Sequence, residues 1–177
     1  MVFIARFLTL VLTATATSIL RRDVGAIETD ITQKISPQLT TLSNDVNGYP
    51  ASGLSGALAI DRDFRDLIAI VNNATTDVKS SGDFSEADGS AVLQDVEALV
   101  PTFSDTMAAL ASQAPAWTNL PGGQALVLSD LQGLNATSVT FIDALTAASP
   151  VDLVPAFLSV RDQIQGALDS AIAAYYT

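Results

Sequence analysis

The chain has 177 residues, 49% apolar and 15% charged, with 8 basic against 19 acidic side chains and a net charge of −11. That is one domain's worth of sequence with apolar content sufficient for a packed core, and the 6% aromatic share predicts a finely grained, alanine-rich interior. With no Cys and no His, disulfides, thiolate nucleophiles, imidazole bases and most zinc or copper sites are excluded, while the acidic balance repels nucleic acid and anionic headgroups.

Residues 1–16 read as a signal peptide: Arg6, an apolar stretch from Phe7 to Leu12, and Ala14-Thr15-Ala16 at peptidase spacing. The dibasic Arg21-Arg22 that follows offers a trimming site, after which the chain would begin at Asp23 and its net charge would fall to about −14. The domain is therefore expected over residues 23–177. No apolar run reaches the roughly 18–20 residues of a membrane helix, and the closing Ala171 to Thr177 lacks a lipid-anchor pattern. A secreted, freely released protein is expected, with no transmembrane anchoring.

From Val24 onward, apolar residues recur at three and four positions, which predicts an all-α fold: a single antiparallel bundle of about five amphipathic helices. Helix one is expected from Val24 to Asn47, with Ile27, Ile31, Ile35, Gln38, Leu42 and Val46 on one line, stopped by Asn47-Gly48-Tyr49-Pro50. Helix two, from Ser52 to Lys79, carries Ile60, Phe64, Leu67, Val71 and Val78. Its opposite side holds Asp61, Arg62, Arg65 and Asp66 in i,i+4 pairs, together with Asn73. Helix three opens on the S-x-x-D cap of Ser85 and Asp88 and runs to Ala114 through Val92, Val96, Leu99, Phe103, Met107 and Leu110. A loop from Pro115 to Gly123 leads to helix four, Gln124 to Ala148, lined by Val127, Leu131, Leu134, Phe141 and Leu145. Ser149, as N-cap, and Pro150 in the first turn should open helix five, with Val154, Phe157, Ile164, Leu168, Ile172 and Tyr175 inward. Pro37, Pro101 and Pro155 lie opposite their stripes, so the helices should bend around the interior.

Few residues suggest chemistry. Gly53-Leu54-Ser55-Gly56 begins like a nucleophile elbow, but Ala57 replaces its last glycine and there is no His to act as base. Asp83, Ser85, Ala87, Asp88 and Gly89 resemble a calcium loop with its glycine one place late, which suits a helix cap better. Asp61, Asp63 and Asp66 read as a solvated face. No residue is assigned to catalysis or to a metal, and no cofactor is implied. Arg161 lies near the middle of helix five's apolar stripe, where it either pairs or snorkels, or meets the carboxylate of an amphiphile. Trp117, the single tryptophan, either plugs the bundle end or presents an aromatic to an apolar surface. Asn73-Ala74-Thr75 and Asn135-Ala136-Thr137 are glycosylation sequons, Asn73 facing water more squarely.

Several segments carry a resemblance when taken in order: Arg22-Asp23-Val24, Asp30-Ile31, Ala74 to Lys79, Phe84 to Gly89, Val96 to Thr102, Ser129-Asp130-Leu131 and Ala171 to Tyr175. As a set they resemble the fungal hydrophobic surface binding protein A family, also called the cell wall galactomannoprotein family. The resemblance implies a secreted helical bundle without catalytic activity. It also implies adsorption to hydrophobic solids with recruitment of esterase- or cutinase-type, polyester-degrading hydrolases, and, in the mannoprotein branch, capture of long-chain fatty acids.

The expected function is that of a non-enzymatic binder of hydrophobic surfaces or fatty-acid-type lipids. Phe64, Leu67, Phe103, Met107, Leu131, Phe141, Phe157 and Ile164 would house the apolar guest, with Arg161 and Trp117 as accessory contacts. The alternative is a structural or antigenic cell wall galactomannoprotein whose bundle carries glycans. The sequence lacks the Ser/Thr-rich tail of the wall-attached branch, which favours the soluble form.

Overall fold

A computed structural model describes residues 24–176; the expected signal peptide and the dibasic pair proposed for trimming lie outside the described residues. Helix α1 spans 24–48 and contains a π-helical stretch, Asp30–Ile35, before the α-helical Ser36–Gly48. Four further helices follow: α2, Gly53–Ser81; α3, Glu86–Trp117; α4, Gly123–Ala148; and α5, Val154–Ala173, the last preceded by a single 3₁₀ turn, Val151–Leu153. Among the described residues there is no strand.

Consecutive helices run in opposite directions, but sequence neighbours are not always neighbours in space. α2 packs on α1 and α4, α5 on α4 and α3, and α3 on α1, which closes a ring in the order 1-2-4-5-3. The connections after α2 and α3 cross the ends of this ring, so α2 and α4 lie side by side in parallel, as do α3 and α5. A five-membered ring of amphipathic helices buries every apolar stripe toward one common axis. The buried residues accordingly form a single cluster from Val24 to Tyr175. α2 and α4 approach closely at Gly133, where a β-carbon would stand 3.2 Å from Ile68 Cδ1.

Each end is closed by specific contacts. Where α1, α3 and α5 finish, Tyr49 stacks on Trp117 with ring centroids 4.3 Å apart and donates from its hydroxyl to the Ala116 carbonyl at 3.2 Å. Gln113 Nε2 donates to the carbonyls of Val46 and Tyr49 at 2.8 and 3.0 Å, and the Tyr175 hydroxyl donates to that of Leu110 at 2.9 Å. At the opposite end the Phe84 amide donates to the Ala148 carbonyl at 2.7 Å. Ser85 caps α3 as the sequence predicts, its Oγ accepting from the Asp88 amide at 3.2 Å. The residues that resemble a calcium loop are this cap.

Three local expectations are corrected. α3 continues through Pro115 to Trp117, so Trp117 belongs to its last turn and not to a loop. Pro115 is exposed, and the carbonyl it leaves unpaired can bond water. Ser149 does not cap the last helix: it ends α4, its Oγ donating back to the Leu145 carbonyl at 2.7 Å, and the 3₁₀ turn intervenes. Pro155 thus occupies the first turn of α5, where its missing N–H costs nothing.

The third correction is in α1. The π stretch ends just before Pro37, which has no N–H for the preceding turn, and the Ser36 amide reaches back to the Ile31 carbonyl. One residue is thereby absorbed and the inward line shifts: Leu39 is buried where Gln38 was expected.

Candidate functional site

At mid-height the ring does not fill completely. A cavity of about 40 Å³ lies between Ile35 and Leu39 of α1, Leu67 and Val71 of α2, Val96, Leu99 and Phe103 of α3, Leu134, Ser138, Phe141 and Ile142 of α4, and Ile164 of α5. All five helices contribute, and Ser138 is the one polar residue in the lining. π-helical turns recur at functional sites, and here the stretch ends at Ile35 and shifts the inward line to Leu39, both of which stand on the cavity wall.

Of the eight apolar residues expected to house a guest, Leu67, Phe103, Phe141 and Ile164 line this cavity. Phe64, Met107, Leu131 and Phe157 are fully buried in the surrounding core but do not line it. Sequence periodicity placed Ile35, Val71, Val96, Leu99 and Leu134 on inward stripes without singling them out. Three were missed: Leu39, hidden by the π turn, Ser138, by its polarity, and Ile142, which sits beside Phe141 at the edge of α4's stripe.

The accessory residues have structural partners. Trp117 is fully buried at the closed end of the bundle against Tyr49, so its ring is not presented to solvent; its indole N–H has no hydrogen-bond partner. Arg161 is half-buried and pairs with Asp143 of α4, Nη1 to Oδ1 at 3.4 Å, while its Nε is buried without an acceptor. Asn73 is exposed on α2 and Asn135 on α4 is half-buried, while the sequon threonines of both, Thr75 and Thr137, are buried.

The acidic face of α2 departs from expectation. Asp66 is exposed and Asp61 pairs with Arg65, but Asp63 is only 2% exposed, because the two edges of α2's stripe pack against α1 on one side and α4 on the other. Gln38 of α1 donates to Asp63 Oδ1 at 3.3 Å, while Asp63 Oδ2 is buried without a donor beside the Asp45 carboxyl. Burial first, then Asp45, pushes the Asp63 carboxyl up to about 6. Asp130 of α4 is a second case: desolvation, reinforced by Asp61 and opposed by Arg65, raises it to about 7, and its Oδ2 also lacks a partner. In both cases burial favours the neutral, protonated carboxyl over the carboxylate. Among the described residues no group of carboxylates could hold a metal ion, and no helix is long and apolar enough to cross a membrane.

The family model described as HsbA, hydrophobic surface binding protein A, matches residues 24–147. This chain belongs to that family. No curated protein matches it. Among solved structures, AfMP4p in complex with palmitic acid is similar at 28% identity and a TM-score of 0.73, over 90% of this chain and 99% of the other. Ligand binding domain 1 of the Penicillium marneffei MP1 protein, complexed with arachidonic acids, aligns at 19% identity and a TM-score of 0.71, over 91% and 99%. Domain 2 of the same protein, complexed with multiple arachidonic acids, aligns at 14% identity and 0.74, over 93% and 99%. For the two MP1 domains the likeness is one of fold. In this HsbA-family chain the same architecture gathers twelve residues from five helices around one apolar void.

Proposed function

We propose that this HsbA-family protein is a secreted, non-catalytic binder that takes a long-chain fatty acid into the seam between its five helices and adsorbs to apolar surfaces. The observation that carries the reading is the cavity at the ring's centre, lined by every helix and almost wholly apolar. The similarity to a protein complexed with palmitic acid supports it.

A pocket for a drug-sized ligand spans roughly 300–1,000 Å³, far more than the 40 Å³ present here. Binding therefore requires the helices to part and exchange contacts with each other for contacts with the chain. Burying roughly fourteen methylenes of a sixteen-carbon acid returns about 11 kcal/mol at about 0.8 kcal/mol each. The cost of widening is moderated because apolar side chains in the seam remain dry throughout: they swap one apolar neighbour for another. The carboxylate must stay hydrated or meet a cation, and Arg161, one turn from the wall residue Ile164 on α5 and with an unpaired Nε, can supply one.

Secretion, release to the medium or association with the wall, and recruitment of a polyester-degrading hydrolase belong to this reading on the strength of the sequence and of family membership. Native mass spectrometry of the protein incubated with palmitate tests the central part. A stoichiometric adduct that survives dilution is expected; no adduct at micromolar palmitate, with the protein shown to be folded, would refute it. Recovery from culture medium, against retention in detergent-washed walls, separates the released binder from a structural galactomannoprotein.

A further inference from the structure

Among the described residues, charged side chains avoid one end of the molecule. None of the 8 basic or 19 acidic residues falls in 46–60, 106–129 or 170–176. The ring order brings these three stretches together where α1, α3 and α5 finish and α2 and α4 begin, held by the Tyr49–Trp117 stack and the Tyr175 hydroxyl on the Leu110 carbonyl. At 1.5 Å per helical residue, the uncharged layer is roughly 10–18 Å deep on α2, α3 and α4, and about one turn on α1 and α5, where Asp45 and Asp169 come closest. In a chain of net charge −11, this is a segregated neutral cap.

The cap is also apolar where it meets water. Leu54 is 62% exposed, Leu58 56% and Leu126 37%, and they flank a groove of about 300 Å³ whose floor includes Trp117, Leu120 and Pro121. Tyr176 stands exposed at the same end. Of the six large apolar side chains that are exposed among the described residues, four are here.

We propose that this neutral end cap, with Leu54, Leu58 and Leu126 at its tip, is the face that docks on an uncharged apolar solid or wax-like interface. The assignment rests on the surface-adsorption part of the proposed function and says where on the molecule it happens. A low-dielectric surface strips water from whatever approaches it, which is costly for charges and favourable for exposed leucine. On α2 and α4 the first charged residues, Asp61 and Asp130, lie about two turns from the helix start and one turn behind Leu58 and Leu126, so the tip can dehydrate while the acidic remainder stays in water. A planar apolar surface asks for no matching partner side chains.

The test is depletion of the purified full chain from solution by polystyrene beads. Three proteins are compared: wild type, the triple variant Leu54→Glu, Leu58→Glu, Leu126→Glu, and a control, Val151→Glu with Leu158→Glu, whose residues are exposed but lie outside the cap. Circular dichroism verifies folding, and palmitate affinity is measured in parallel. The triple variant should need a roughly hundredfold higher concentration for half-coverage, the control less than about threefold, with palmitate affinity equal in all three. Wild-type adsorption by the triple variant, or an equal loss in the control, overturns the cap assignment alone. A wild type that ignores the beads overturns surface adsorption itself, and the cap with it. If sedimentation shows a wild-type dimer that the triple variant abolishes while bead binding persists, the cap is a self-association face and the assignment fails.

Discussion

Phe141→Ala separates stability from binding at the seam. Phe141 projects from α4, is 4% exposed and lines the cavity. Truncating a buried Phe costs about 3–5 kcal/mol, of which the part due to empty space runs at about 24 cal/mol per Å³. By the same coefficient, the existing 40 Å³ void already forgoes about 1 kcal/mol of packing. For a domain of this size the loss lowers the melting temperature by on the order of 10 °C. Removing the ring moves the void toward the scale of about 150 Å³ at which an engineered apolar cavity binds benzene. If an acyl chain must first open this seam, the variant has already lost the contacts the chain would displace, and palmitate affinity should hold or improve while stability falls. Palmitate at a hundred times its Kd should then restore about 2.7 kcal/mol of stability. Thermal denaturation by circular dichroism and calorimetric titration supply the two readouts. A palmitate affinity that falls tenfold or more alongside the stability would refute the reasoning, because it would mean that the intact Phe141 ring, not the opening of the seam, governs binding.

Other predictions follow from the electrostatics and the caps. Asp63 and Asp130 both titrate in the fold well above an ordinary carboxyl, at about 6 and about 7. The folded state therefore holds protons the unfolded chain has released, so their contribution is complete below about pH 4 and is lost as pH rises toward 7. Asp63→Asn and Asp130→Asn should each stabilise the protein by on the order of 1–2 kcal/mol at pH 8 and change little at pH 4, as urea denaturation at the two pH values would reveal. Ser85→Ala removes the side-chain cap on α3 and should cost about 1 kcal/mol; an unchanged urea midpoint would contradict that role. Arg161→Ala should lose at most about 1 kcal/mol of stability, since its ion pair with Asp143 is partly solvated. If the guanidinium meets the lipid headgroup, the same variant binds palmitate more weakly and hexadecanol as well as before; equal effects on both would remove it from the site.

How much of this was legible in the sequence can be judged residue by residue. The helix count and most inward positions followed from three- and four-residue spacing, which burial against any neighbour reinforces, as at Phe64 and Leu131. The ring order did not, because periodicity says which face is buried and not against which helix. That is why Asp63, beside the stripe, was read as solvated although α1 covers it. Leu39 was missed because a single π turn shifts the phase by about one residue, and nothing in the local pattern marks it except Pro37 just downstream. Trp117 was placed in a loop because two prolines flank it at a distance; the first of them, Pro115, is carried within the helix on an exposed side. The charge-free stretches were present in the sequence but scattered, and only the topology assembles them at one end.

The claim that an acyl chain enters between the helices is tested most directly by methyl NMR of the selectively labelled protein during titration with palmitate. The account predicts that the methyl signals of Ile35, Leu39, Leu67, Leu134 and Ile164, one or more from each of four helices on the cavity wall, shift together and saturate at stoichiometric lipid. Shifts confined to exposed methyls such as those of Leu54 and Leu58, with the five wall residues unmoved at saturation, would contradict it.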